Sequence, residues 1–217
     1  MKKVIVAVLI ILTVLLVGCT ENNGNTLPVP QEAEYELGEG EITTEPLTDD
    51  IIDAFQTLLR TVNVHFDNID NKYEIYFVSS ILDEVMVGTQ INAFKDGGLN
   101  FPTISTHYVG EGWIFFNEIT FAMGEERIVI SDIPLINVST RVISGNLVRE
   151  SYTITTSDTV AILQHIAETR DATIRLRGDR IVDRTLTVPE VNSLRFMLQI
   201  FEKLYQHPGL VNYITTN

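Results

Sequence analysis

A single cysteine, Cys19, and the fourteen apolar or neutral residues from Val4 to Val17 ahead of it set the terms on which this chain of 217 residues can fold. One cysteine cannot close an intrachain disulfide, so the folded part must be held by its hydrophobic core. The run follows Lys2 and Lys3 and closes as Leu16-Val17-Gly18-Cys19. A helix needs about 20 apolar residues to cross hydrocarbon, whereas the apolar part of a secretory leader needs roughly 7 to 15 behind a positive start. Fourteen fits the leader. An uncleaved anchor that happens to end in Gly-Cys is the competing reading, and the short run, the small residue before Cys19 and the polar stretch from Thr20 weigh against it. Residues 1–18 therefore stand outside the fold.

The same residues resemble the signal peptide and lipobox of bacterial lipoproteins. That resemblance implies that the Cys19 thiol carries a diacylglyceryl group, that the peptide bond before Cys19 is cut, and that the new amino terminus is acylated with palmitate-type chains. It further implies a protein outside the cytoplasm, held by lipid to a bacterial cell membrane, inner or outer being left open. Two or three acyl chains, at ~0.8 kcal/mol per buried methylene, anchor durably where one chain binds marginally.

Losing Lys2 and Lys3 takes the 15 basic residues to 13 against 29 acidic ones, a net −16 in place of −14. Between Thr20 and Asp50 nine carboxylates occur with three prolines and no Lys or Arg. Such a stretch buries too little apolar surface to offset its ordering entropy, so residues 19–47 read as an acidic flexible tether. A cation-binding or partner-binding tail is the less favoured reading. The remainder suits one domain, 48–208, followed by a tail, 209–217.

The domain opens with a helix. Thr48 can cap it, Asp49 and Asp50 suit the positive end of its dipole, and Ile51, Ile52, Phe55, Leu58 and Leu59 recur with helical spacing. After a polar break at Asp67 to Lys72, strands are predicted at Tyr73–Ser79, Val85–Phe94, Leu99–Val109, Trp113–Met123, Arg127–Ser131, Arg141–Ser144 and Val148–Thr155. Asp96-Gly97-Gly98 and Gly110-Glu111-Gly112 read as hairpin turns. Ser157 can cap a second helix with Val160, Leu163 and Ile166 on one face, and Ala172 to Arg177 then alternates as a half-buried strand. Gly178-Asp179 turns the chain into Ile181–Val188. Thr187 with Glu190 forms a capping box, with Pro189 in the first turn, for a last helix whose stripe runs from Val191 to Tyr205. The fold class is α+β: a mainly antiparallel sheet with an N-terminal helix and two C-terminal helices packed against it.

The run from His107 to Phe115, Ser131-Asp132, the strand Thr173 to Gly178 and the capped last helix resemble a poorly characterised group of bacterial secreted and lipoprotein domains. There an aromatic-glycine-tryptophan hairpin precedes an Arg-x-x-Gly hairpin, and the likeness covers about Val64 to Leu204. It implies a single α+β domain and carries no activity.

No motif specifies catalysis, a metal or a cofactor. His65, His107, His165 and His207 lie one per segment, without the tight spacing of zinc ligands. Gly-x-Ser-x-Gly is absent, and Asp96-Gly97-Gly98 lacks the Lys and Ser or Thr that follow in a phosphate-binding loop. Asp67-Asn68-Ile69-Asp70-Asn71 offers oxygens for a hard cation but reads better as a turn, since Asx side chains bond their own backbone.

The most unusual local feature is basic. Arg170, Arg175, Arg177, Arg180 and Arg184 fall within fifteen residues, with Arg175 and Arg177 on one face of a strand and Arg184 on its partner. Guanidinium forks suit carboxylate or phosphate, so Arg175, Arg177 and Arg184 are the candidate anion or partner site. Interleaved Asp171, Asp179 and Asp183 make a salt-bridged face the stronger reading. Tyr108 and Trp113 are candidate aromatic contacts, with core packing the competing reading for the aromatics there. A chain this acidic has no basic surplus with which to bind nucleic acid.

Three functions follow, the last of them a lipoprotein that modulates or inhibits another envelope protein. The first is a non-enzymatic binding or cell-envelope interaction module, anchored to the membrane through its N-terminal lipid and facing an envelope protein or an anionic envelope polymer. The second is an envelope hydrolase or other enzyme whose site is assembled from scattered residues. The sequence leans against the enzyme.

Overall fold

The computed structural model describes residues 46–79, 84–156 and 158–216, all within one compact unit, Leu37–Asn217. Cys19, the leader, the tether as far as residue 45 and the expected cap Ser157 lie outside the described residues.

Helix α1 spans Asp49–Leu59, and its start is the expected one: the Thr48 hydroxyl accepts from the Ile51 amide at 3.4 Å, with Asp49 and Asp50 in the first turn. Phe55 and Leu59 are its buried residues. Five strands follow in the order β1 (Asn63–Asp67), β2 (Lys72–Val78), β3 (Val85–Phe94), β4 (Thr103–Glu111) and β5 (Glu118–Met123). Next come β6 (Glu126–Ile130), a short 3-10 turn at Leu135–Asn137, β7 (Ser139–Ser144) and β8 (Leu147–Ile154). Helix α2 is Asp158–Thr169, β9 is Thr173–Arg177, β10 is Ile181–Thr185 and helix α3 is Val188–Gln206.

Every strand pairing is antiparallel, as the α+β class requires, but the strands divide into two sheets. One is six-stranded in the order β1-β2-β3-β4-β8-β7, and the other four-stranded in the order β10-β9-β5-β6. Their inner faces meet the helices in one core. Ile75, Val87, Ile91, Ile104 and Tyr108 come from the larger sheet, Ile119, Phe121, Ile174 and Leu176 from the smaller, and Leu163, Leu194, Met197 and Phe201 from α2 and α3. Helix α3 lies on β2 and β3 and touches both other helices, while α2 lies on β5.

Where α3 begins, burial alone would push the Glu190 carboxyl up. The Thr187 backbone N–H at 2.8 Å, the Arg184 guanidinium and the Thr187 hydroxyl outweigh it and hold the carboxyl below its ordinary value. Past α3 no sequence pattern marks structure, yet the 3-10 turn Pro208–Tyr213 seats Leu210 and Val211, and beyond it Ile214, in the core. Asp67 to Asn71 is the expected turn: Asp67 Oδ1 accepts from the amides of Ile69 (2.9 Å) and Asp70 (3.3 Å).

The predicted single strand from Trp113 to Met123 breaks, and so does the predicted hairpin at Gly110 to Gly112. Strand β4 runs through Gly110 to Glu111, and residues 112–117 carry the chain out of the six-stranded sheet and into the four-stranded one. Phe115 takes a left-handed φ of 48°, which a bulky side chain rarely adopts. Glu150, wholly buried on β8, holds this crossing. Its Oε1 accepts from the amides of Ile114 (2.6 Å) and Phe115 (3.1 Å), and its Oε2 from Phe116 (3.3 Å). A Cβ on Gly178 would overlap the Ile114 carbonyl, so the turn between β9 and β10 must be glycine for the crossing to lie against it.

Glu150→Ala strips three amides of their acceptor, two of them buried, and each orphaned buried donor costs about 1–3 kcal/mol. Urea denaturation is expected to show a loss of at least ~2 kcal/mol. A loss below ~1 kcal/mol would mean that the amides are satisfied without Glu150.

Candidate functional site

Strand register decides what the arginine stretch can do. Arg175 and Arg177 project from the solvent face of the four-stranded sheet, where Arg175 stands opposite Asp183. The pair is bidentate, Nε to Oδ1 at 2.7 Å and Nη2 to Oδ2 at 2.6 Å, and these bonds hold the Asp183 carboxyl below its ordinary value. Arg177 lies opposite Glu118, with 3.8 Å between their charged atoms. Arg184 is opposite Ile174 and so on the other face, where Nη2 donates to both Glu190 oxygens at 2.8 and 2.9 Å. The structure does not bring the three arginines together, and each meets a carboxylate. The ion-paired reading is the one the geometry favours.

The two candidate aromatics part in the same way. Tyr108 is wholly buried on the inner face of β4, its ring lying over Gly110, where a Cβ would overlap it, and its hydroxyl accepts from Arg180. It cannot stack on a ligand. Trp113 is half-buried, and its ring stacks on that of Phe115 at 6.1 Å, with Phe115 43% exposed. Ile114 and Phe116 point inward, fully buried.

The outer face of the six-stranded sheet holds a group of side chains that sequence reasoning missed. Strands β4, β8 and β7 present Ser105, His107, Arg149, Ser151, Thr153, Ser139 and Arg141 there, and Ser105 and Thr153 share a hydrogen bond of 2.9 Å. Arg149 Nη2 donates to His107 Nδ1 at 2.9 Å. Burial, and then the Arg149 charge, push His107 down to about 4. The ring is therefore neutral near pH 7, and with Nδ1 accepting, its proton sits on Nε2. Arg141 stands directly opposite Arg149, a like-charge pairing that costs stability in a sheet. Among the described residues no carboxylate lies within ion-pair distance of either, and the buried Arg149 Nε has no hydrogen-bond partner.

The signal that could have found the pair was a hairpin. Gly145-Asn146 joins β7 to β8, and pairing Ser144 with Leu147 without irregularity would set Arg141 against Glu150. The bulge between Val142 and Ser144 shifts the register by one residue, giving Val142 with Val148 and Arg141 with Arg149.

Elsewhere, α1 and α3 leave an open, shallow groove of about 510 Å³ lined by Ala54, Thr57, Leu58, Gln199, Glu202, Lys203 and Gln206. It sets no nucleophile beside a base. Among the described residues no three His, Cys, Asp or Glu side chains converge as a metal set.

Arg184→Gln leaves Glu190 mostly buried without its guanidinium and is expected to cost about 1–3 kcal/mol by chemical denaturation. Arg177→Gln, on the solvent face, is expected to change stability by less than ~0.5 kcal/mol. For His107 the folded value lies below the unfolded one, so the unfolded chain binds more protons between about pH 4 and 6.5. Its contribution to stability is complete above about pH 6.5 and is lost as pH falls through about 4. Denaturation across that window should show a slope that His107→Gln reduces. NMR should place the wild-type ring near 4 and the Arg149→Gln ring higher, though still below 6.5, because burial is the larger cause.

Compared with family models, curated proteins and solved structures, the chain matches none, so its own geometry carries the functional reading.

Proposed function

We propose that this chain is a lipid-anchored extracytoplasmic binding protein and not an enzyme, one that presents the outer face of its six-stranded sheet to anionic groups of the bacterial cell envelope. The observation that carries the reading is the facing pair Arg141 and Arg149, without a carboxylate partner among the described residues of a chain that has 29 acidic side chains to offer. Like charges set opposite each other cost stability, and an anion between them removes that cost. His107 supports binding over proton transfer, since a ring that titrates near 4 is a weak base at neutral pH. The location rests on Lys2, Lys3 and the run ending in Gly18-Cys19.

Growth with a labelled fatty acid tests the anchor. Wild-type protein is expected to carry label and to sediment with membranes, and Cys19→Ser to lose both properties, because serine has no thiol to accept the diacylglyceryl group. Label retained on Cys19→Ser would overturn the assignment.

A further inference from the structure

We infer that Arg141, Arg149 and His107 form a site for a tetrahedral phosphate group, on β7, β8 and β4 respectively. The inference rests on the binding role proposed above but not on the lipid anchor.

The chemistry of the lining selects the ligand. Both arginines are pure donors, and the neutral His107 ring, with Arg149 Nη2 at 2.9 Å from Nδ1 and 3.5 Å from Nε2, adds a single N–H. Ser139 and Ser151, paired with each other on the same face, add hydroxyls that can donate. A sheet face that offers donors and no fixed carboxylate selects an anion. The number and direction of the donors narrow it further. A planar carboxylate is satisfied by one guanidinium fork, but here the Arg149 fork is partly engaged by His107, and the other donors rise from neighbouring strands on either side of it. Oxygens that leave a central atom in several directions meet such donors better than two oxygens in one plane. Charge agrees, because two facing guanidinium groups without a carboxylate can take a phosphate of one or two negative charges.

The bulge is what creates the pair. Without it Arg141 would face Glu150 and be neutralised, and with it Arg141 faces Arg149. On the four-stranded sheet, by contrast, Arg175 closes on Asp183.

The test uses the full-length protein in neutral detergent, labelled with ¹⁵N-histidine, and titrates inorganic phosphate, dimethyl phosphate and acetate at constant ionic strength. Phosphate is expected to shift the His107 Nε2 resonance saturably and to bind about tenfold or more tightly than acetate, a charge-assisted hydrogen bond being worth about that factor. Dimethyl phosphate separates sources: binding close to that of phosphate points to a phosphodiester backbone, and much weaker binding to a terminal phosphate, with either supporting the site. Arg141→Gln, an exposed edge-strand change that should not disturb folding, is expected to weaken phosphate about tenfold. Arg149→Gln is expected to do the same, and Arg175→Gln to leave affinity within about twofold, its partner being Asp183. Acetate binding as well as phosphate, an unmoved His107 resonance, or an Arg141→Gln protein that binds like wild type would overturn the site. Cys19→Ser should bind phosphate normally, so a failed anchor and a failed phosphate site give different results.

Discussion

One buried carboxylate lets two sheets share a core. Glu150 lies on β8, deep in the six-stranded sheet, and its oxygens collect the amides of Ile114, Phe115 and Phe116, three consecutive donors in the segment that leaves that sheet for the other. Successive amides around a left-handed residue form a concavity that favours negative charge, and here the protein fills it with its own side chain. The arrangement offsets the strained φ of Phe115 and gives a buried carboxylate the hydrogen bonds without which its burial would be prohibitive. The crossing then organises its surroundings. The Ile114 carbonyl accepts from Asp179 at 2.7 Å, the Asn117 amide donates to the Arg177 carbonyl, and the Asn117 carbonyl accepts from Ile133. The β9–β10 turn, the start of β5 and the loop after β6 are all located by a segment that Glu150 locates.

The same carboxylate explains why the β7–β8 hairpin is irregular. In an unbroken register Arg141 would sit opposite Glu150 and compete with the three amides for it. One extra residue at the bulge removes Arg141 from that position and leaves Ile143 half-exposed. Bulges re-aim side chains at the edges of sheets, and β7 is an edge strand. The displaced arginine lands opposite Arg149 on the outer face. The inner carboxylate and the outer cationic pair are thus two sides of one register shift, with the anion kept for the backbone and the cations left for solvent or a ligand.

What could be read in the sequence was local. Thr48 with Asp49 and Asp50, Thr187 with Glu190, and the alternation from Ala172 to Arg177 are signals held within a few residues, and each marked its element. The short β1 was missed because Asn63–Asp67 follows α1 after only three residues and offers one buried residue, Val64, to mark a face. The division into two sheets was not legible, since Trp113 to Met123 alternates well enough for one strand and only a residue 34 to 36 positions away breaks it. Arg184 groups with Arg175 and Arg177 in the sequence because spacing carries no information on strand register. Pairing it with Ile174 sends it inward to Glu190. The outer cationic pair was hidden for the same reason: one bulged residue decides whether Arg141 meets an acid or a base.

An acidic chain that holds an anion has to do so at short range. At physiological salt, charges beyond about 8 Å are largely screened, so the net −14 of the whole chain weighs on the approach of an anion far more than on its contact with two guanidinium groups. At low salt the approach is opposed, and moderate salt relaxes that repulsion before it weakens the contacts. The salt dependence of such a site is therefore shallow, unlike that of a basic surface that attracts anions from a distance and loses them steeply as salt rises. This also separates the Arg141–Arg149 pair from the arginines of the four-stranded sheet. Arg175 and Arg177 each lie against an acid and so present less net charge to an anion, although they dominate the sequence.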